Sequence, residues 1–203
     1  MPLVSVVIIT YNRAKYIMSA IESALEQDYQ NLEIIVIDDA SQDGTREILQ
    51  SYIDQGKIKY YKNDKNQGIV YNRNRGLNLS SGKYIAVLDS DDLWCDKEKI
   101  KKQAEFLENN NEYALIGGNV VIINGDGDST GEIIYETDNE KICIYPFDYF
   151  PAFYREFHLP DLEQCEQHGN HFYPLWHALP FRPEHSGICL WNAYHLQRQW
   201  CDR

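Results

Sequence analysis

The chain predicts an α/β fold, a mostly parallel sheet with helices on both faces. Two observations carry this. Through the first 140 residues, short apolar runs rich in β-branched residues alternate with segments of helical period. Three of those runs then end in clusters of polar residues, as strands do when they deliver their carboxyl ends to a common edge.

"LVSVVIIT" (3–10) is the first buried strand. A helix from about Ala14 to Gln27 follows, with Ile17, Ile21 and Leu25 recurring at i, i+4 and i+8 beside Ala20 and Ala24. "LEIIVIDD" (32–39) is a second buried strand. Ser41 or Asp43 is placed to cap the next helix, whose inner face would be Ile48, Leu49, Tyr52 and Ile53. "IKYYKND" (58–64) is a third strand and "VYNRNRGLNL" (70–79) a helix closed by "SSGK". "KYIAVLD" (83–89) is a fourth strand. A helix across "DKEKIKKQAEFLENN" turns Ile100, Ala104 and Leu107 inward. "YALIGGNVVIIN" and "GEIIYET", separated by "GDGDST", read as a hairpin.

The polar strand ends carry the chemistry. Strand one runs into Thr10, Tyr11 and Asn12, strand two into Asp38 and Asp39, and the strand at 83–89 into Asp89, Ser90, Asp91 and Asp92. Three carboxylates within four positions repel one another and raise one another's pKa unless a cation sits among them. Tyr11 offers an aromatic face and Asp39 an acceptor for ring N–H groups. Asp89 and Asp91 form a hard-cation site. Between them, "NQGIVYNRN" supplies a flexible glycine, Gly68, and the fixed positive charge of Arg73, suited to phosphate. The set suits a nucleotide with a diphosphate and Mg²⁺ or Mn²⁺, ions that lean on carboxylates and substrate phosphates together. Each residue also has a plainer reading. Asp91 and Asp92 could cap the helix that follows, Asp38 and Asp39 could be turn residues, Tyr11 a core aromatic and Arg73 a solvated charge.

Composition excludes several classes. The 203 residues carry 25% charged and 43% hydrophobic side chains, which fits a globular protein. A formal net charge of −12 argues against nucleic acid as a partner. Five cysteines without framework spacing fit a reduced, cytoplasmic setting. "MPLVSVVIITYNR" has no basic start and its apolar run ends at Thr10, so no secretory leader is expected.

Taken together, "VSVVIITYNR", "EIIVIDDASQDGT", "NQGIVYNRNRGLNLSSGKYIAVLDSDD" and Trp94 resemble the nucleotide-sugar-binding half of family 2 glycosyltransferases, across residues 3 to 110. The resemblance implies a GT-A (Rossmann-like) sheet, with the hairpin and an irregular C-terminal region added. It implies transfer of a sugar from a nucleoside-diphosphate donor of UDP or dTDP type to a saccharide or lipid-linked hydroxyl acceptor, with inversion. By that resemblance Thr10, Tyr11 and Asp39 lie around the nucleobase, with Asp38 nearby. Asp89 meets the ribose or the metal-bound diphosphate, Asp91 ligates the metal, and Arg73 faces the diphosphate or sugar. Surface-polysaccharide synthesis at the inner face of a membrane is the setting it suggests.

Composition changes past residue 140. All six His lie there, with three of four Trp, four of five Cys and six of seven Pro. The sequence thus divides into a nucleotide-sugar-binding core (1–140) and an atypical acceptor-side region (141–203). The shift marks an acceptor-binding subdomain, a divergent tail or a change of reading frame. The resemblance calls for a catalytic base, with Asp161 and Glu156 as candidates, and a late histidine, His185, as a further metal or phosphate contact. Two other functions fit parts of the pattern. One is a degenerate transferase that binds donor without turnover. The other is a Mg²⁺-binding module like a response regulator, which also gathers aspartates at strand ends.

Overall fold

A computed structural model of the chain describes residues 1–111, 113–118, 120–124, 128–134, 144–146 and 188–190. The chain divides into two compact units, Met1–Asn109 with Ala178–Leu190, and Asn110–His177 with Trp191–Arg203. The compositional break near 140 falls inside the second.

The first unit is built on strands β1 (Val4–Thr10), β2 (Leu32–Asp38), β3 (Lys59–Lys62), β4 (Tyr84–Asp89) and β9 (Ile188–Leu190). Their order is β3-β2-β1-β4-β9 and every pairing is parallel. Every residue of β1 is buried, as a central strand covered on both faces requires. Chain order runs outward from β1 to β2 to β3, then returns across the sheet to β4 on the other side of β1. Right-handed crossovers therefore place α1 (Ile17–Leu25) and α2 (Thr45–Asp54) on one face and α3 (Ile69–Leu79) on the other. The reversal marks the place where such sheets offer a ligand a crevice, outside the carboxyl ends of β1 and β4.

The first two helices bury narrower stripes than their hydrophobic spacing suggests. α1 begins at Ile17, not near Ala14, and buries Ile17, Ala20, Ile21 and Ala24. Leu25 was expected inside but is 38% exposed. Seven residues bring the helix back to within about 20° of Ile17, whereas eight overshoot by about 80°, so Ala24 takes the inner position. Similarly, α2 buries Thr45 and Leu49 while Ile48, one position off that stripe, is exposed. In α4 (Lys99–Asn109) the expected inward residues Ile100, Ala104 and Leu107 are all buried.

α3 lies unusually close to the sheet. A Cβ on Gly76 would stand 2.4 Å from Val7 Cγ1 and 3.3 Å from Ile37 Cδ1, so the absent side chain is what lets the helix seat on β1 and β2. Gly82 plays the same part before β4, where a Cβ would meet the backbone of Ser5 and Leu3 within 2.8 Å.

In the second unit β6 (Val120–Ile123) and β7 (Ser129–Ile134) form the expected antiparallel hairpin. The stretch before it breaks at Gly117-Gly118 and leaves a separate strand, β5 (Tyr113–Ile116), which pairs antiparallel with β8 (Ile144–Pro146). No helix among the described residues is long and apolar enough to cross a membrane.

Candidate functional site

The site grows from strand register. Thr10 is level with Asp38 across the β1–β2 pair, Ile9 with Asp89 across β1–β4, and Asp38 with Lys62 across β2–β3. Four parallel strands therefore stop at one height, and the loops that leave them converge.

Two of those loops are sewn together by side chains. Asn12 adopts a left-handed backbone (φ 51), its N–H donating to Ser41 Oγ at 2.9 Å while its Oδ1 accepts from the Gln42 N–H at 2.9 Å. Asp43 Oδ2 accepts from the Ala14 N–H at 2.8 Å, and Oδ1 accepts from Thr45. Burial alone would raise the Asp43 pKa, but these hydrogen bonds from Thr45 and Ala14 outweigh it and hold the carboxyl below its ordinary value. The capping residue of α2 is Gly44 (φ 84), and Asp43 serves the first turn from one position earlier; Ser41 is drawn off to Asn12. Asp38, wholly buried, accepts from the Ser41 N–H at 2.7 Å and from the Tyr60 hydroxyl. Desolvation and that carboxylate together push the Tyr60 hydroxyl far up. Asp38 therefore shapes the loop from beneath.

Asp39 is 3% exposed. Its Oδ1 accepts from Asn63 Nδ2 at 2.7 Å and the Gln67 N–H at 2.8 Å, and its Oδ2 accepts from the Gly68 N–H at 2.9 Å. Asn63 also donates to Asn72 Oδ1, Asn72 Nδ2 donates to the Gly68 carbonyl, and Arg75 closes onto Asn63 Oδ1. Burial works to raise the Asp39 pKa, but the Gln67 N–H, the neighbouring Asn72 amide, the Asn63 amide and the Gly68 N–H together hold it below the ordinary value. This buried network fixes Gly68 in a positive-φ conformation (φ 82) at the start of α3. A ring N–H arriving at Asp39 would join or replace donors of the chain itself.

On the other side of the crevice, residues 89–92 turn back on themselves, with the Asp92 N–H donating to the Asp89 carbonyl at 3.0 Å. Asp91 and Asp92 do not cap α4. That helix starts at Lys99, and Asp96 receives the Glu98 N–H at 2.9 Å. Trp94 is buried, its backbone N–H donates to Ser23 Oγ at 3.2 Å, and Lys99 Nζ sits 4.5 Å from its ring. The acidic turn is thereby anchored to α1 and α4. Asp89 pairs with Arg73 (Oδ1 to Nη2, 3.6 Å) and Asp91 with Arg13 (Oδ2 to Nε, 3.3 Å).

The donor set fits a hard divalent ion. Two carboxylates at the crevice already draw cationic side chains to themselves, and oxygen ligands in such a half-open pair suit Mg²⁺ or Mn²⁺ with substrate phosphates completing the shell. Among the described residues no group of three or more His, Cys, Asp and Glu side chains forms a closed metal cage.

The structure thus brings Thr10, Tyr11, Asn12, Asp38, Asp39, Gly68, Arg73, Asp89, Ser90 and Asp91 to one edge of the sheet. Tyr11 is 48% exposed, so it is not a core aromatic. Thr10 is 1% exposed, and its Oγ1 lacks a hydrogen-bond partner among the described residues. Asp161, Glu156 and His185 lie outside the described residues. Sequence reasoning passed over Arg13, Asn63 and Asn72. Arg13 had a signal: it lies three positions past the end of the central strand, beside the strand that carries the aspartates. The two asparagines had none, since polar residues in a loop and on a weakly amphipathic helix do not announce a buried network.

The sequence profile described as glycosyl transferase family 2 matches residues 5–173. TuaG of Bacillus subtilis (strain 168), a glycosyltransferase assigned to teichuronic acid biosynthesis, is 44% identical over 108 residues, covering 52% of this chain and 42% of its own. The Escherichia coli UDP-Glc:alpha-D-GlcNAc-diphosphoundecaprenol beta-1,3-glucosyltransferase WfaP is 44% identical over 108 residues, 53% of this chain and 42% of its own. The chain therefore spans less than half the length of either relative. Among solved structures, S. aureus TarS 1-349 in complex with UDP-GlcNAc superimposes with a TM-score of 0.54 at 30% identity, covering 61% of this chain and 36% of that one. The mannosyltransferase PcManGT from Pyrobaculum calidifontis, in complex with GDP-Man and Mn²⁺, gives 0.51 at 25% identity over 60% of this chain and 35% of its own.

Proposed function

The chain belongs to glycosyl transferase family 2, with the GT-A fold, and from that premise we propose that it transfers a sugar from a UDP- or dTDP-type donor to a hydroxyl acceptor in cell-surface glycan synthesis. Membership sets aside the signalling-module reading. The observation that carries the proposal is the convergence of the β1, β2 and β4 ends at the switch point of the sheet.

There the residues divide the work. Exposed Tyr11 offers a stacking face for the base, Asp39 an acceptor at its edge, and Thr10 Oγ1 a buried hydroxyl at the strand end. Arg73, on α3, faces the acidic turn where a diphosphate would lie. A divalent cation held by Asp89 and Asp91 would supply positive charge against the departing diphosphate. In an inverting transfer the acceptor oxygen bonds to the anomeric carbon as the bond to the diphosphate oxygen breaks, and a carboxylate takes the hydroxyl proton. Asp161 and Glu156 are the proposed bases and His185 a proposed further contact. UDP-GlcNAc in TarS and UDP-Glc in the name of WfaP support the choice of base. The diphosphoundecaprenol acceptor in the name of WfaP supports a lipid-linked acceptor; the cytoplasmic face of a membrane is the proposed setting.

A thermal-shift panel of UDP-, dTDP- and GDP-sugars, with and without Mn²⁺, tests this. A donor at a hundredfold excess over its Kd stabilises the folded chain by about 2.7 kcal/mol, and the shift should appear with UDP- or dTDP-sugars and depend on Mn²⁺. No shift with any nucleotide sugar would remove the donor reading. Nucleotide release on adding acceptor then separates a working transferase from a donor-binding relic.

A further inference from the structure

The two ion pairs of the acidic turn differ in how firmly they are held. Arg73 and Asp89 are enclosed, at 14% and 16% side-chain exposure, whereas Arg13 and Asp91 are at 43% and 29%. The Arg13 backbone is fixed, because its carbonyl accepts from the Tyr16 and Ile17 N–H groups at 2.9 and 3.0 Å. Its side chain alone reaches across the crevice, from the β1 loop to the β4 turn, to place Nε 3.3 Å from Asp91 Oδ2.

We propose that Arg13 is an internal counter-cation for Asp91, holding that carboxylate until a divalent ion displaces it, and so sets how tightly the chain binds the ion in the absence of nucleotide. This rests on the reading of Asp91 as a metal ligand. The argument is one of charge and exposure. Arg13 engages Asp91 through Oδ2, and a divalent cation on either oxygen of that carboxylate would stand within a few ångström of the guanidinium charge and repel it, so ion binding loosens or breaks the pair. Because the pair is exposed, breaking it is cheap and Arg13 swings into water. Arg73 stays, since its surroundings leave it nowhere comparable to go. Arg13 thus acts as a positioning residue on Asp91, tuning the site without belonging to the reacting atoms.

The test is Mn²⁺ binding to the full chain without nucleotide, read by electron paramagnetic resonance of the free ion, for wild type, Arg13→Gln, Arg13→Lys and Asp91→Asn. Arg13→Gln should bind Mn²⁺ about two- to fivefold more tightly, the range that an exposed ion pair of about 0.4–1 kcal/mol gives at 1.4 kcal/mol per tenfold. Arg13→Lys, which keeps the charge, should return most of the way to wild type. A merely structural role for Arg13 would weaken binding instead. Unchanged or weaker binding by Arg13→Gln, with binding lost in Asp91→Asn, overturns the counter-cation role and leaves Asp91 as a ligand. Equal binding by wild type and Asp91→Asn overturns the metal reading of Asp91 and this inference with it; no binding by any form without nucleotide overturns this inference alone, since substrate phosphates can complete the shell of the ion.

Discussion

Asp39 carries three N–H donors on a carboxylate that is 3% exposed, and this changes what a substitution there should do. The residue was expected to read the base. It also ties the end of β2 to the loop at 63–68 and the start of α3, so its removal strands buried donors. Asp39→Asn would turn two N–H groups of its own toward that ring of donors, and should lower stability at pH 7 by about 1–3 kcal/mol. The pH dependence has a definite sign. Its folded-state pKa is held below the ordinary 3.8 by those donors, so the stabilisation is complete above that value and is lost as pH falls below it. Urea midpoints of wild type and variant should differ clearly at pH 7 and converge toward pH 3 and lower. A gap of the same size at both pH values would show that the Asp39 charge does no structural work.

At the scale of elements, α3 is where sequence and structure agree for different reasons. Its existence was legible, and so were the strands: the runs at 3–10, 32–39, 58–64 and 83–89 became β1 to β4 with ends shifted by a residue or two. Helix faces were less so. Leu25 and Ile48 lie about 80–100° off the stripes that the sheet covers, and hydrophobicity alone does not say which apolar residue stays outside. The close seating of α3 was not legible either, because a lone glycine in a helical pattern reads only as a weak point. In open solvent Gly76→Ala would stabilise the helix by about 1 kcal/mol. Here the new methyl group would stand 2.4 Å from Val7 Cγ1, and Val7, branched at Cβ and buried in the central strand, has little room to yield. The expected result in urea denaturation is a net loss of about 1–3 kcal/mol, with weaker nucleotide binding as Asn72 and Arg73 move with the helix. A stabilised variant would mean that α3 rides higher on the sheet than described.

At the scale of the whole molecule, the candidate site was largely legible because a parallel sheet brings strand ends to one edge whatever its loops do. "TYN", "DD" and "DSDD" needed only strand order to meet. Arg13 and the asparagine network needed side-chain geometry, which periodicity does not carry. A chain of net charge −12 that gathers Asp89, Asp91 and Asp92 at a crevice has little reason to attract a diphosphate unless a cation comes with it. Donor binding should therefore depend on the metal. The most direct measurement is calorimetric titration of UDP into wild type and Asp91→Asn, each with and without Mn²⁺. Mn²⁺ should tighten UDP binding to wild type by about tenfold or more, 1.4 kcal/mol, and do nothing for Asp91→Asn, while both forms remain folded without ligand. UDP affinity that is indifferent to Mn²⁺ in wild type, or equally enhanced in the variant, would contradict that dependence.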